Sequence, residues 1–269
     1  MLAVGAYARR GVRHPLAIDL GTSMVRIWAP GLETVVNEPA VVAFGPVPDQ
    51  RAAGRAAFEV ARRTGAPLIW PVRDGVVDNL AACVYLLRTL VAATGRPADD
   101  PSPVVVGVPA TATLRQLHLI MTAVHHATGG RVSAVEEPLA AALACFPRLD
   151  DGDDVVAVDI GQGRTEVIQI ADRAVAAAER VDARGRDLIP AIAETVRRIA
   201  PCGSRRPRRL LVTGGGATRP GAATSLAALT GRTVTVPAEA RLATLRGLSL
   251  LLSTADSHPQ SLTSCRRTA

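Results

Sequence analysis

The sequence predicts an α/β protein built on one plan used twice, two βββαβαβα halves facing a shared cleft. Three observations predict it. First, the stretch Val155 to Ile170, VVAVDIGQGRTEVIQI, is an apolar run ending in Asp159, then the turn Gly161-Gln162-Gly163, then a second apolar-rich run from Thr165. Two β-rich runs joined by a short glycine turn read as a hairpin whose first strand is buried. Second, Leu16 to Trp28, LAIDLGTSMVRIW, repeats that plan with Asp19 and the turn Gly21-Thr22-Ser23. Third, another glycine turn, Gly214-Gly215-Gly216, follows the strand Arg209–Val212. Each is a weak signal alone; one hairpin in each half with a later glycine turn is far more specific.

The same residues carry the chemistry. Glycines let the backbone approach a ligand, and consecutive backbone N–H groups can cradle phosphate oxygens. A carboxylate at the end of a buried strand is poor scaffold, but it suits a divalent ion such as Mg²⁺ held through water. Two such turns with a third nearby point to a single nucleotide between the halves.

Composition narrows the alternatives. The 269 residues are 48% hydrophobic and only 3% aromatic, so a large core must be aliphatic. The formal charge is +7, and every one of the 31 basic residues is arginine. That charge is scattered, apart from Arg205 to Arg209 and the chain ends, so no nucleic acid is expected as partner. Cys83, Cys145, Cys202 and Cys265 lie far apart without paired ligand spacing, which argues against a zinc site or disulfide framework. The apolar part of Met1 to Arg13 is too short for a signal peptide and too weakly amphipathic for strong membrane attachment. A cytoplasmic protein with at most peripheral membrane association is expected.

Taken in order, strand Leu16–Asp19 pairs with Val25–Ala29, and a third strand near Ala40–Phe44 follows a turn at Asn37-Glu38-Pro39. A small insert, about 45–71, carries a short helix near Ala52–Arg63. A helix is predicted from Val76 to Ala93, with Val76, Leu80, Val84, Leu87 and Leu90 on one face. Strand Val104–Val106 leads to a helix Thr113–Thr128, on which His118 and His125 read as surface residues for want of a third ligand. Strand Arg131–Val135 precedes Glu136-Glu137-Pro138 and the helix Leu139–Cys145. Pro138 suits the first helical turn and sets Glu137 near the cap, where it either complements the helix dipole or orients a water for attack on a phosphate. Pro147–Asp154 reads as a linker between domains 14–148 and 149–252. The second half predicts strands at Val155, Thr165 and Ala174, a helix Asp187–Ile199, strand Arg209–Val212, a helix after Pro220, strand Arg232–Val236 and a helix Ala238–Leu252. The polar stretch 253–269 is expected to be a disordered tail.

The motif order resembles the actin, Hsp70 and sugar-kinase superfamily, and within it the MreB family of bacterial actins. The segments that carry the resemblance are Asp19-Leu20-Gly21-Thr22, Asn37-Glu38-Pro39-Ala40-Val41-Val42, Arg73-Asp74-Gly75-Val76-Val77, Gly107-Val108-Pro109, Glu136-Glu137-Pro138-Leu139-Ala140-Ala141-Ala142, Asp159-Ile160-Gly161-Gln162-Gly163-Arg164-Thr165-Glu166-Val167 and Leu211-Val212-Thr213-Gly214-Gly215-Gly216. Asn-Glu-Pro and Arg-Asp-Gly-Val favour MreB over Hsp70. The resemblance implies a duplicated actin-like (ribonuclease H-like) fold that binds ATP and Mg²⁺. Asp19 and Asp159 would hold the ion's shell, and Gly21, Thr22, Ser23, Gly161, Gln162, Gly163 and Thr165 the phosphates. Glu137 would position the hydrolytic water, Gly214, Gly215 and Gly216 would back adenine and ribose, and Gly185 would open subdomain IIB.

Most of that subdomain is missing, since one helix and Pro201 to Pro207 lead straight back to Arg209. In the family the lobe walls the adenine pocket and supplies filament contacts. Gln162 and Arg164 also replace the Gly and Thr usual in MreB. Three functions follow from the resemblance: an MreB-like ATP-binding protein of cell shape or wall synthesis with at most slow ATPase activity, a degenerate actin-fold scaffold, or an Hsp70-like nucleotide-binding domain. The partners implied are ATP and a full-length homologue of the family or cell-wall synthesis proteins.

Overall fold

The computed structural model describes residues 13–32, 35–146, 155–200 and 208–257. The first half opens with β1 (Leu16–Leu20), β2 (Met24–Trp28) and β3 (Val36–Pro39). An insertion follows: β4 (Val42–Phe44), β5 (Arg51–Ala53), α1 (Arg55–Thr64), β6 (Leu68–Ile69), β7 (Val72–Arg73) and β8 (Val76–Val77). The half closes with α2 (Leu80–Ala92), β9 (Pro103–Val108), α3 (Leu114–Thr128), β10 (Arg131–Glu136) and α4 (Glu137–Cys145). The second half runs β11 (Val155–Ile160), β12 (Thr165–Ala171), β13 (Ala174–Val181), α5 (Leu188–Ile199), β14 (Arg209–Thr213), α6 (Ala222–Thr230), β15 (Thr233–Thr235) and α7 (Ala243–Ser257).

The two main sheets have the same topology, β3-β2-β1-β9-β10 and β13-β12-β11-β14-β15. In each, a hairpin pair is antiparallel and the two strands beyond the first are parallel. The duplication expected from the hairpins is therefore present strand for strand.

Both faces of each sheet are covered, which is why β1, β9 and β11 read as unbroken apolar runs rather than alternating ones. On one face of the first sheet, Ile18, Ile27, Val104 and Val106 pack against Leu86 and Leu87 of α2 and Ile120 and Val124 of α3. On the matching face of the second, Val156, Val158, Leu210 and Val212 meet Ile192, Val196 and Ile199 of α5 and Leu226 of α6. The opposite faces are covered crosswise. Ala142 of α4, from the first half, packs with Val155, Ala157, Ile168 and Leu211 of the second sheet. Leu245, Leu248 and Leu252 of α7, from the second half, pack with Ala17 and Val105 of the first. The helices α4 and α7 also pack closely on one another, and a Cβ at Gly247 would overlap the backbone carbonyl of Ala140.

Local chemistry departs from the predicted boundaries in two places. Asn37-Glu38-Pro39 is not a turn: it belongs to β3, paired with Met24 to Arg26, and Val42–Phe44 leaves for the small sheet β5-β4-β6. Proline is tolerated there because β3 is an edge strand. The helix predicted from Val76 begins instead at Leu80. Asp74 and Gly75, at φ 49° and 74°, make the tight turn between β7 and β8, and Asn79 caps α2 by accepting from the Ala82 N–H at 3.0 Å. Thr113 and Gln116 form a capping box on α3, as its start predicts.

The predicted linker 147–154 and the segment 201–207 lie outside the described residues, as does the predicted tail beyond Ser257; α7 carries the helix through 253–257. Cys83 is buried and its thiol is pushed up to about 12 by burial, in keeping with a small core hydrophobe. No helix among the described residues is long and apolar enough to cross a membrane.

Candidate functional site

The two hairpin turns are closed by the same hydrogen bond. Gly21 N donates to Met24 O at 3.0 Å, and Gly161 N donates to Arg164 O at 2.9 Å. The turns meet tip to tip: a Cβ on Gly163 would lie 2.6 Å from Thr22 Oγ1. That hydroxyl in turn accepts from Gly75 N at 2.8 Å, tying in the β7–β8 turn. The third glycine turn packs onto the second hairpin, with Gly216 N donating to Ile160 O at 2.8 Å. At Gly214, φ is 81° and a side chain would run into Ile160 O and Asp159 Oδ1, at 2.6 and 2.7 Å. Only glycine admits that approach.

These turns enclose a cleft of about 470 Å³. Asp19, Gly21, Thr22 and Ser23 line it from the first half, and Asp159, Gly161, Gln162, Gly163 and Gly214 to Gly216 from the second, with Glu137 between. Two predicted residues lie elsewhere. Thr165 is buried in β12 opposite Ile160 and Val181. Gly185, at φ 62° with open space around it, starts the short helical turn before α5.

Four arginines share the lining, Arg26, Arg164, Arg219 and Arg241, none of them expected from the sequence to be a site residue. Arg26 Nη1 donates to Asp19 Oδ2 at 2.8 Å. Glu166 was also missed as a site residue. It accepts from Ala110 N and Thr111 N, at 2.8 and 2.9 Å, and from the Thr111 hydroxyl, and so joins the second sheet to the loop after β9. The Arg164 Nη1 donates to Thr111 Oγ1 at 3.1 Å in the same cluster. Gly107, part of the Gly107-Val108-Pro109 motif but not among the expected site residues, leaves room for Glu137, whose Cγ would sit 3.1 Å from a Cβ there.

The carboxylates feel one another. Glu137 is pushed well above the usual carboxylate range by burial, and then by the charges of Asp19, Asp159 and Glu166, with Arg164 opposing. Its Oε1 is buried without a hydrogen-bond partner. Burial also raises Asp159, to about 7; a hydrogen bond from Thr213 at 3.0 Å works against the rise, while Asp19 and Glu166 add to it. Burial raises Asp19 as well, against the pull of Arg26. Converging buried carboxylates with an orphaned oxygen, beside glycine turns with no room for side chains, fit a hard cation carrying a polyanion. Among the described residues no three carboxylate, His or Cys side chains form a metal site by themselves, so water and ligand oxygens would complete an ion's shell.

A pH dependence follows. The unfolded chain loses the Asp159 proton near 3.8, whereas the folded chain keeps it to about 7. Between those values the folded state binds more protons, so its stability falls as pH rises. The ligand-free protein is expected to melt at higher temperature at about pH 5 than at about pH 7.5, and Asp159→Asn to flatten that slope. A higher melting temperature at the upper pH would contradict this account of the cleft.

A duplicated βββαβαβα plan with facing hairpin turns across one cleft defines an actin-like protein. The fold matches the crystal structure of MreB5 of Spiroplasma citri bound to AMPPNP at a TM-score of 0.75 and 16% identity, over 93% of this chain and 98% of that one. It also matches the MamK double helical filament at 0.73 and 17%, over 90% and 99%. Within that class the chain belongs to the MreB/Mbl family, whose model, described as MreB/Mbl protein, matches residues 13–200. It is 32% identical over 194 residues to the cell shape-determining protein MreB of Escherichia coli K12, covering 69% of this chain and 56% of that protein. To the cell shape-determining protein Mbl of Bacillus subtilis it is 28% identical over 160 residues, covering 58% and 48%. The chain thus spans about half the length of the curated relatives it matches.

Proposed function

We propose that the chain binds ATP with Mg²⁺ in this cleft and serves cell shape or cell-wall synthesis, with slow or no hydrolysis. One observation carries the reading: two Asp-ended glycine turns, one from each half, meet over Glu137, whose Oε1 is buried with no hydrogen-bond partner. The names of structural neighbours support a nucleotide in such a cleft, since one is bound to AMPPNP and another to ADP. The names of the curated relatives support a role in cell shape.

On this reading the turn residues 21–23 and 161–163 hold phosphate oxygens, and the turn 214–216 backs the ribose and base. Asp19 and Asp159 would hold Mg²⁺, which supplies positive charge to the phosphates. Glu137 accepts a hydrogen bond from a water and turns it toward the terminal phosphate. The raised proton affinity of Glu137 suits a group meant to take a proton.

Titration of the purified chain with labelled ATP and Mg²⁺ tests the reading; no saturable binding at millimolar nucleotide overturns it. Glu137→Gln is expected to leave ATP affinity nearly unchanged and to slow any hydrolysis by about 100-fold. Equal hydrolysis by the variant would remove Glu137 from that role.

A second reading, a scaffold of the same fold that no longer cycles nucleotide, is favoured by the short path from β13 to β14. Among the described residues only one α-helix, α5, with the short helical turn before it, lies between them. Such a chain would join a polymer by adding to a full-length homologue rather than assembling by itself. The same titration separates the two readings.

A further inference from the structure

The duplicated hairpins place unlike charges at equivalent positions. In the first, strand register sets Asp19 directly opposite Arg26. In the second it sets Asp159 directly opposite Glu166. Opposed residues on neighbouring strands point to the same face, so each pairing is fixed by backbone register rather than by side-chain choice. Asp19 therefore faces a cation and Asp159 a second anion.

The two carboxylates are also differently committed. Asp19 Oδ2 holds the Arg26 guanidinium, whose side chain is 16% exposed. Among the described residues, the only side-chain partner of Asp159 is the Thr213 hydroxyl. Arg164 also lines the cleft and also has a buried Nε–H without an acceptor, but its charge is paired with Glu166, on the second hairpin, and its Nη1 donates to Thr111 Oγ1. Arg26 has capacity left over: it lines the cleft, and its Nε–H is buried with no acceptor. A buried unused guanidinium donor at the phosphate end of a cleft calls for an anionic oxygen.

We propose that Arg26 is a resident cation of the cleft, holding Asp19 on one side and a nucleotide phosphate oxygen on the other, so that Mg²⁺ rests mainly on Asp159. Arg26 and the metal compete for Asp19, and Arg26 supplies a part of the nucleotide affinity that needs no metal. The inference rests on the ATP reading above, and it divides the work of the two aspartates unequally.

The test measures AMPPNP affinity by calorimetry in EDTA and across a Mg²⁺ titration, for the parent, Arg26→Gln, Arg26→Lys, Asp19→Asn and Asp159→Asn. Arg26→Gln is expected to weaken metal-free binding by about ten-fold, the worth of a charge-assisted hydrogen bond. At the same time it frees Asp19, so the Mg²⁺ midpoint falls several-fold. A purely structural role would not move these two readings in opposite senses. Arg26→Lys, which keeps the charge, stays near the parent in both. Asp19→Asn raises the Mg²⁺ midpoint much less than Asp159→Asn. Parental values in Arg26→Gln, or equal damage from the two aspartate variants, overturn the proposal while leaving ATP binding in place. Absence of AMPPNP binding to the parent under every condition overturns both. Should Arg26→Gln not fold, the comparison of the two aspartate variants decides by itself.

Discussion

Asp159→Ala is expected to lower the affinity for Mg·ATP by about 100-fold or more, to the level measured in EDTA, with the fold intact. Losing an oxygen ligand to a hard cation costs several kcal/mol, and about 1.4 kcal/mol is a factor of ten. The fold does not need the carboxylate. Burial and its acidic neighbours already disfavour its charged form. Thr213 Oγ1, its hydrogen-bond donor, retains the Val158 carbonyl at 3.4 Å. The ligand-free variant should therefore melt no lower than the parent near neutral pH. Calorimetric titration with Mg·AMPPNP beside a melting curve checks both halves of the expectation. Parental affinity would remove Asp159 from the metal site, and a collapsed melting curve would make it a structural residue.

Gly247→Ala should produce the largest loss of stability from a single methyl group. The residue lies where α7 crosses α4, with the Ala140 backbone directly above its Cα. Backbone cannot yield as a flexible side chain can, so the helices must separate. That separation loosens Leu245 and Leu248 from Ala17 and Val105. A loss of about 3 kcal/mol or more is expected, at the upper end of overpacking effects. Urea denaturation reads it directly, and an unchanged midpoint would mean that the helix crossing is slack.

These two residues mark what was legible in the sequence and what was not. Asp159 and Asp19 stand out because strand, carboxylate and glycine turn are contiguous, and such a turn is a local matter of a few dihedrals. Gly247 sits in an ordinary amphipathic stretch, LRGLSLLL, and owes its importance to a helix from the other half. Arg26 occupies an alternate position of a short strand; only the pairing with Asp19 distinguishes it from the chain's other arginines. Glu166 likewise gains meaning from the amides of Ala110 and Thr111, far away in sequence. The early start assigned to α2 has another origin. Val76 falls in phase with the helix's apolar face, but Asp74-Gly75 is itself a strong hairpin signal, and the turn prevailed over the periodicity.

The crosswise seating of α4 and α7 also governs the order in which this chain can acquire its shape as it leaves the ribosome. The first sheet can form early, yet one of its faces, at Ala17 and Val105, has only Ala140 of α4 among its buried helical partners until Leu245, Leu248 and Leu252 have been made. α4 waits a shorter time, since the strands of the second sheet on which it rests are made before α7. Contacts between the two ends of a chain are slow to close, and an apolar face left waiting invites association with other nascent chains. A ribosome stalled before residue 243 would therefore display a chain that lacks, among the described elements, only α7 yet keeps an apolar face of its first sheet open, a natural substrate for holding chaperones.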